Sequence, residues 1–194
     1  EEIVKGGITL IDPAIERKPL IGIVGEIFLR MHTHSNQDLI RVLESHGAEV
    51  VNSSLAEWVN YVTYGQLREN KINFRLNLQQ GNLGGLKNYF HKIFSSGANL
   101  FYQEMRQKQF YNRASRLIDL EHDHKVSHLE KLLKKEDIFT FDVTTETCVS
   151  IAAILQFAKE GYNGVVNVYP FTCMPGMTTS AIVKPVLNRM RVPY

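Results

Sequence analysis

The sequence predicts an α/β fold: a doubly wound, mainly parallel Rossmann-like sheet with a helical insertion in the middle of the chain. Three observations lead there. Short continuous apolar runs at Pro19 to Gly25, Ala48 to Asn52 and Gly164 to Tyr169 have the form of strands buried on both faces. Stretches of helical spacing separate them, as in βαβ units. Residues 65 to 135 hold few β-branched residues and many Leu, Lys, Gln, Arg and aromatics, which favours helix over sheet.

The elements follow in order. Residues 1–18, with Gly6-Gly7 and Asp12-Pro13, read as a lead or linker. Residues 19–64 form a first α/β segment. Its opening strand is followed by a polar loop in which Ser35 or Asn36 can cap a helix carrying Leu39, Ile40, Val42 and Leu43, stopped by Gly47. A second strand, Ala48 to Asn52, leads to a helix opening at Ser54. Residues 65–136 form the insertion, interrupted around Gly81 to Gly85 and Ser95 to Gly97, with amphipathic helices from about 98 to 118 and from Val126 to Leu133. Residues 137–194 form a second α/β segment completing the same sheet. It holds a short strand at Ile138 to Phe141, a helix from Glu146 to Glu160, the strand at Gly164 to Tyr169, and a helix from Thr178 to about Met190 kinked at Pro185. The final Val192-Pro193-Tyr194 has the pattern of a strand just begun, so the expectation is a domain of a longer polypeptide.

Composition narrows the function classes. With 194 residues, 44% hydrophobic and 22% charged, the chain is expected to fold rather than stay disordered. Its net charge of +2, without a run of like charges, gives no support for binding nucleic acid or an anionic membrane. There is no apolar stretch of roughly 18 residues, and the acidic Glu1-Glu2 start is unlike a signal peptide, so a soluble, cytoplasmic protein is expected. The two cysteines, Cys148 and Cys173, are too few for a disulfide scaffold, a closed structural zinc site or a complete iron–sulfur site. No phosphate loop, dinucleotide fingerprint, nucleophile elbow or zinc-protease motif occurs.

Ligands of open parallel sheets bind beyond the carboxyl ends of the strands, which directs attention to three loops. In the third, Pro170 to Gly176, Cys173 stands between a strand and a helix N-terminus, where the helix dipole favours a thiolate that could bind metal or attack a substrate. Pro170 and Pro175 stiffen this loop, Thr172 adjoins the cysteine, and Gly176 lets a bound group approach the backbone. The structural alternative is a small residue in a tight turn. Cys148, in the second loop (Asp142 to Cys148) at the start of the preceding helix, could converge on Cys173 or simply pack on the sheet. The first loop offers Glu26, His32, His34 and Asn36 as contacts to a metal or substrate. Alternatively, Glu26 and Asn36 only pin it by local hydrogen bonds. The cluster Glu121-His122-Asp123-His124 with His128 has metal-like composition at a solvated helix junction. The aromatic, basic stretch Tyr102 to Arg116 suits packing or a partner better than RNA.

The same loops carry a resemblance. Pro19 to Glu26, His32 to Gln37, Gly47 to Val50 and Glu57-Trp58, followed by Gly164 to Gly176, resemble a domain of the activase-related proteins of 2-hydroxyacyl-CoA dehydratase and benzoyl-CoA reductase systems. These motifs span both α/β segments, about half the chain. The resemblance implies a fold like the dehydratase D-component, which holds a four-iron four-sulfur cluster through cysteines and receives electrons from an ATPase partner. Carried over by position, Cys173 and then Cys148 would be metal ligands, with Glu26, His32, His34, Asn36, Thr172 and Gly176 around them. The ATPase part has no counterpart here and a third cysteine is missing. The cluster is therefore incomplete within this chain, and the rest of a longer polypeptide or an ATPase or dehydratase partner would complete it. Two other readings stay open: a non-catalytic α/β binding or assembly domain with structural cysteines, and a thiol enzyme pairing Cys173 with His32 or His34.

Overall fold

The computed structural model describes every residue except Glu1, Pro13, Asp119, Glu121 and Thr144. In chain order the elements are α1 (Glu2–Ile8), β1 (Leu20–Gly25), α2 (Ile27–Met31), α3 (Leu39–Ser45), β2 (Glu49–Asn52), α4 (Leu55–Gln79), α5 (Leu83–Ala114), α6 (Val126–Glu136), α7 (Glu146–Lys159), β3 (Gly164–Val168) and α8 (Met174–Met190). They form two units. One is helical, Glu1–Ile11 with Ala56–Val126; the other contains the sheet, Asp12–Leu55 with Ser127–Tyr194.

In the sheet unit, β1 pairs in parallel with β2 on one side and β3 on the other, giving the order β2-β1-β3. Successive residues of a strand point to opposite faces, and Ile23 and Val24 are each 1% exposed, so both faces of β1 are covered. Helix α7 packs on β1 and β3 and along α8, while α3 lies on β2. All residues of α7 from Thr147 to Leu155 are buried, the mark of a helix enclosed on every side rather than one with a wet face. Val183 and Leu187 of α8, and Leu129 and Leu133 of α6, complete this core. Each such fully buried aliphatic side chain contributes about 1.5–3 kcal/mol by removal from water.

Glycine decides how closely α7 can lie. A Cβ at Gly22 in β1 would stand 2.4 Å from the Phe157 ring of α7, so the strand surface is bare where that ring rests. Phe157 also packs on Tyr162 with centroids 4.5 Å apart, which leaves the ring little room to yield.

Several expectations are corrected. Ile138 to Phe141 is no strand: Asp137 is left-handed (φ 52°), and Thr140 and Asp142 bond each other through side chain and backbone, a local turn that competes with sheet pairing. Phe141 is nonetheless buried, which accounts for the apolar run. Helix α5 runs unbroken through Ser95 to Gly97. The Ser96 hydroxyl bonds back to the Lys92 carbonyl and accepts from Asn70 of α4, so long-range packing overrides weak local propensity. Helix α8 begins at Met174 rather than Thr178, because Pro175 falls in the first turn, where its missing N–H and fixed φ are tolerated. The first loop is not wholly irregular but contains the short α2. Helix α3 starts after Asp38, not directly after Ser35 or Asn36. Within the expected lead segment, Glu2–Ile8 is helical without buried residues. The helix opening after Ser54 continues past position 64 as the 25-residue α4. Val192 to Tyr194 is not a strand, although Val165 N–H of β3 donates to the Pro193 carbonyl.

In the helical unit, α4 and α5 run antiparallel. Asn60 Nδ2 donates to Gln107 Oε1 and Asn70 Nδ2 to Ser96 Oγ, and Asn82 caps α5 by accepting from Gly85 N–H. Among the described residues no helix is long and apolar enough to cross a membrane.

Gly22→Ala is expected to destabilise by about 1–3 kcal/mol through overpacking, with partial recovery on adding Phe157→Leu, read by urea denaturation. A second expectation concerns pH. Lys159 of α7 donates to Glu136 of α6 and holds that carboxyl below its usual range. Because the folded pKa is depressed, the pair stabilises above the unfolded value of about 4.3 and is lost as pH falls through the lower folded value. Lys159→Met should cost about 0.2–1 kcal/mol at neutral pH and nothing once Glu136 is protonated, measured as melting temperature against pH.

Candidate functional site

The carboxyl ends of β1 and β3 meet where the chain leaves the sheet in two directions. Gly25 ends β1 at φ +117°, a conformation L side chains rarely adopt, and a Cβ there would lie 2.1 Å from the Val168 carbonyl of β3. The next residue locks the junction: Glu26 N–H donates to that same carbonyl over 2.8 Å. Its side chain caps α2, Oε2 accepting from Leu29 N–H at 2.7 Å.

Across the junction the β3–α8 loop turns through Thr172, left-handed at φ 69°. For a β-branched residue that conformation is strained, by about 1–2 kcal/mol. Cys173 N–H donates to the Pro170 carbonyl, and Cys173 then becomes the N-cap of α8. Its side chain is half-buried and makes no capping bond, so the thiol is not consumed by the helix end. Gly176 admits the Tyr169 ring, which a Cβ would meet at 2.2 Å.

Asn167 of β3 lies between these loops. Its Nδ2 has three acceptors within reach, the Gly176 carbonyl, Ser180 Oγ and the Tyr194 hydroxyl, at 3.0 to 3.3 Å. Its Oδ1 is buried without a hydrogen-bond partner. Burial pushes the Tyr194 phenol up, against the opposing effect of its bonds with Ser180 and Asn167. Glu26, Glu146 and Ser150 of α7, Asn167, Cys173 and Gly176 line a void of only about 10 Å³. That is room for about one water-sized group, far below the 300–1,000 Å³ of an organic ligand pocket. Anything larger bound at Cys173 must lie outside the junction and touch it from above.

Of the expected site residues, the structure brings Glu26, Cys173 and Gly176 to one void. Cys148 is fully buried in the first turn of α7, its thiol donating to the Thr145 carbonyl at 3.0 Å. The neighbouring Thr147 hydroxyl reaches the Pro175 carbonyl at 3.4 Å, so the first turns of α7 and α8 do adjoin. His32 and His34 are exposed on the first loop. His32 stacks on Phe28 and shares its Nδ1 with Ser35, and His34 meets it edge-on. Asn36 ties the loop, donating to the Leu29 carbonyl and accepting from Leu39 N–H. Glu146 falls in the second of the three loops that the sequence singles out, whereas Ser150 and Asn167 lie outside them. The one available signal was Asn167 itself, a polar residue inside an otherwise apolar strand.

No family model matches the sequence, and neither a curated protein nor a solved structure matches the chain.

A second cleft, of about 380 Å³, lies in the helical unit beside Tyr111, His122 and Asp123. Asp123 accepts from Gln107 Nε2 at 2.5 Å and from the Tyr111 hydroxyl, whose pKa is driven up by burial and then by the Asp123 charge. His122 packs at a tilt against Tyr111, with centroids 4.7 Å apart, and bonds Ser115. Glu121 lies outside the described residues, as does Thr144 of the second loop. Among the described residues no group of three His, Cys, Asp or Glu could hold a metal ion.

The contrast between the thiols is measurable. Cys148→Ala should cost about 1–2 kcal/mol by leaving a small void in the core, whereas Cys173→Ala should change stability by less than about 0.5 kcal/mol. Urea denaturation of both variants checks this.

Proposed function

We propose that this chain is a cytoplasmic domain of an activase-related protein of the 2-hydroxyacyl-CoA dehydratase and benzoyl-CoA reductase type, and that Cys173 is its ligand to an iron–sulfur group completed by other ligands. One observation carries this reading. Cys173 stands uncommitted at the N-terminus of α8, in the crevice between β1 and β3 where ligands of parallel sheets bind. The order β2-β1-β3, with β1 central and covered on both faces, is also what the middle of a doubly wound Rossmann-like sheet would present.

The residues present fit one corner of such a group. A single accessible thiol supplies one soft donor, and the void behind it is too small to enclose a cluster. When bound, the cluster would accept and pass on single electrons. This chain's residues would hold it in position. Cys173 as thiolate would bind iron, and the first-turn N–H groups of Met174 and Gly176, which precede the helical bonding pattern, would favour negative charge there. The proline at position 175 has no N–H and stiffens the turn that presents the thiol. Cys148 serves the core in this reading, since its thiol already bonds the Thr145 carbonyl.

Anaerobic reconstitution of the full chain with ferrous iron, sulfide and excess low-molecular-weight thiol, which supplies the remaining ligands, tests the proposal. Retained iron with visible charge-transfer absorption is expected, abolished by Cys173→Ser and kept by Cys148→Ala. No retained iron, or absorption indifferent to Cys173→Ser, overturns it and favours a binding or assembly domain with structural cysteines.

A further inference from the structure

We infer that two copies of this chain dimerise through α5, packed antiparallel about a two-fold axis beside Gly97 and Ala98. The inference rests on the helical unit alone and is independent of Cys173. Leu83, Phe90, Phe94, Phe101 and Met105 are 78, 66, 71, 70 and 36% exposed. At 100° per residue they fall within an arc of about 60° on one face of α5. The face turned to α4 is another one, carrying Ser96 and Gln107, which bond Asn70 and Asn60. Lys87 separates Leu83 from the rest on this face; from Phe90 to Met105 the exposed side chains form an apolar stripe, which on a solvated helix marks an interaction surface.

The spacing selects the occupant. From Phe90 to Phe94, Phe101 and Met105 the steps are four, seven and four residues, the same read in either direction. An antiparallel second copy therefore sets Phe94 against the partner's Phe101 and Phe90 against the partner's Met105, each contact occurring twice, as an isologous interface requires. At the axis, a Cβ at Gly97 would meet nothing within 4 Å. That gap lets the helices approach to about 8–10 Å while the rings interleave on either side. Three rings two-thirds exposed, at about 150–250 Å² each, with the exposed part of Met105, offer roughly 500 Å² per protomer. The total of about 1,000 Å² reaches the lower bound of a specific interface.

The charges fix a sign. Lys87 and Lys108 flank the stripe at equal distances from the axis, so each faces the other on the partner. Their repulsion is screened by salt, so the dimer tightens as ionic strength rises. The same geometry separates antiparallel from parallel pairing. Lys108→Glu would face the partner's Lys87 in the antiparallel dimer but another glutamate in a parallel one.

Sedimentation equilibrium of the full chain over a range of concentration and salt is the test. The expected result is a monomer–dimer equilibrium that tightens with salt. Phe94→Glu and, independently, Phe101→Glu should give monomers with unchanged helical circular dichroism, since both side chains are exposed. Lys108→Glu should strengthen the dimer by about tenfold at low salt. A chain monomeric under all conditions, a dimer untouched by both phenylalanine variants, or one weakened by Lys108→Glu overturns the inference.

Discussion

The sheet unit depends on the enclosure of α7. From Thr147 to Leu155 this helix has no wet face; it lies against β1 and β3 and along α8. Ten of its fourteen residues are buried, and closeness is set by a glycine in β1 that leaves space for the Phe157 ring. Once α7 is held there, its first turn necessarily adjoins the first turn of α8. Thr147 contacts the Pro175 carbonyl, Cys148 is sealed in the core, and Ser150 and Glu146 face the end of the sheet. The candidate site is the outer end of this packing arrangement.

At that end the backbone is held in conformations that cost free energy. Gly25 occupies a region open to few residues, and Thr172 sits left-handed despite its branched side chain. Hydrogen bonds hold both: Glu26 N–H to Val168 across the junction, and, within the β3–α8 segment, Cys173 N–H to Pro170 and Asn167 to the Gly176 carbonyl. Strain held in place by its surroundings, next to a thiol with no structural partner and a buried amide oxygen without a donor, distinguishes this loop from an ordinary turn. The first loop is the opposite case. Its glutamate, one histidine and its asparagine are engaged in local bonds that define its shape.

The helical unit is built on different physics. Asparagine, glutamine and serine cross-links join α4 to α5, and few apolar side chains are buried between them. Polar cross-links fix register at modest net stability, about 0.5–1.5 kcal/mol each. Much of the apolar content of α5 is left outward, on the face that bears Phe90, Phe94 and Phe101.

By itself the sequence determined the elements whose signal is local. Buried strands announce themselves as apolar runs, and Gly47 and Gly161 end helices in the left-handed conformation that glycine permits. Cys173 was placed at a strand-to-helix turn by the same logic. Tertiary structure decided the rest. The apolar run at Ile138 to Phe141 became a turn because one buried phenylalanine and a Thr–Asp bond satisfy it without a neighbouring strand. Ser95 to Gly97 stayed helical because Asn70 reaches Ser96 from another helix. The different environments of Cys148 and Cys173, and the convergence of Glu26, Glu146 and Asn167, follow from how α7 and α8 pack on the sheet. Such contacts join residues more than a hundred positions apart, and no local periodicity encodes them.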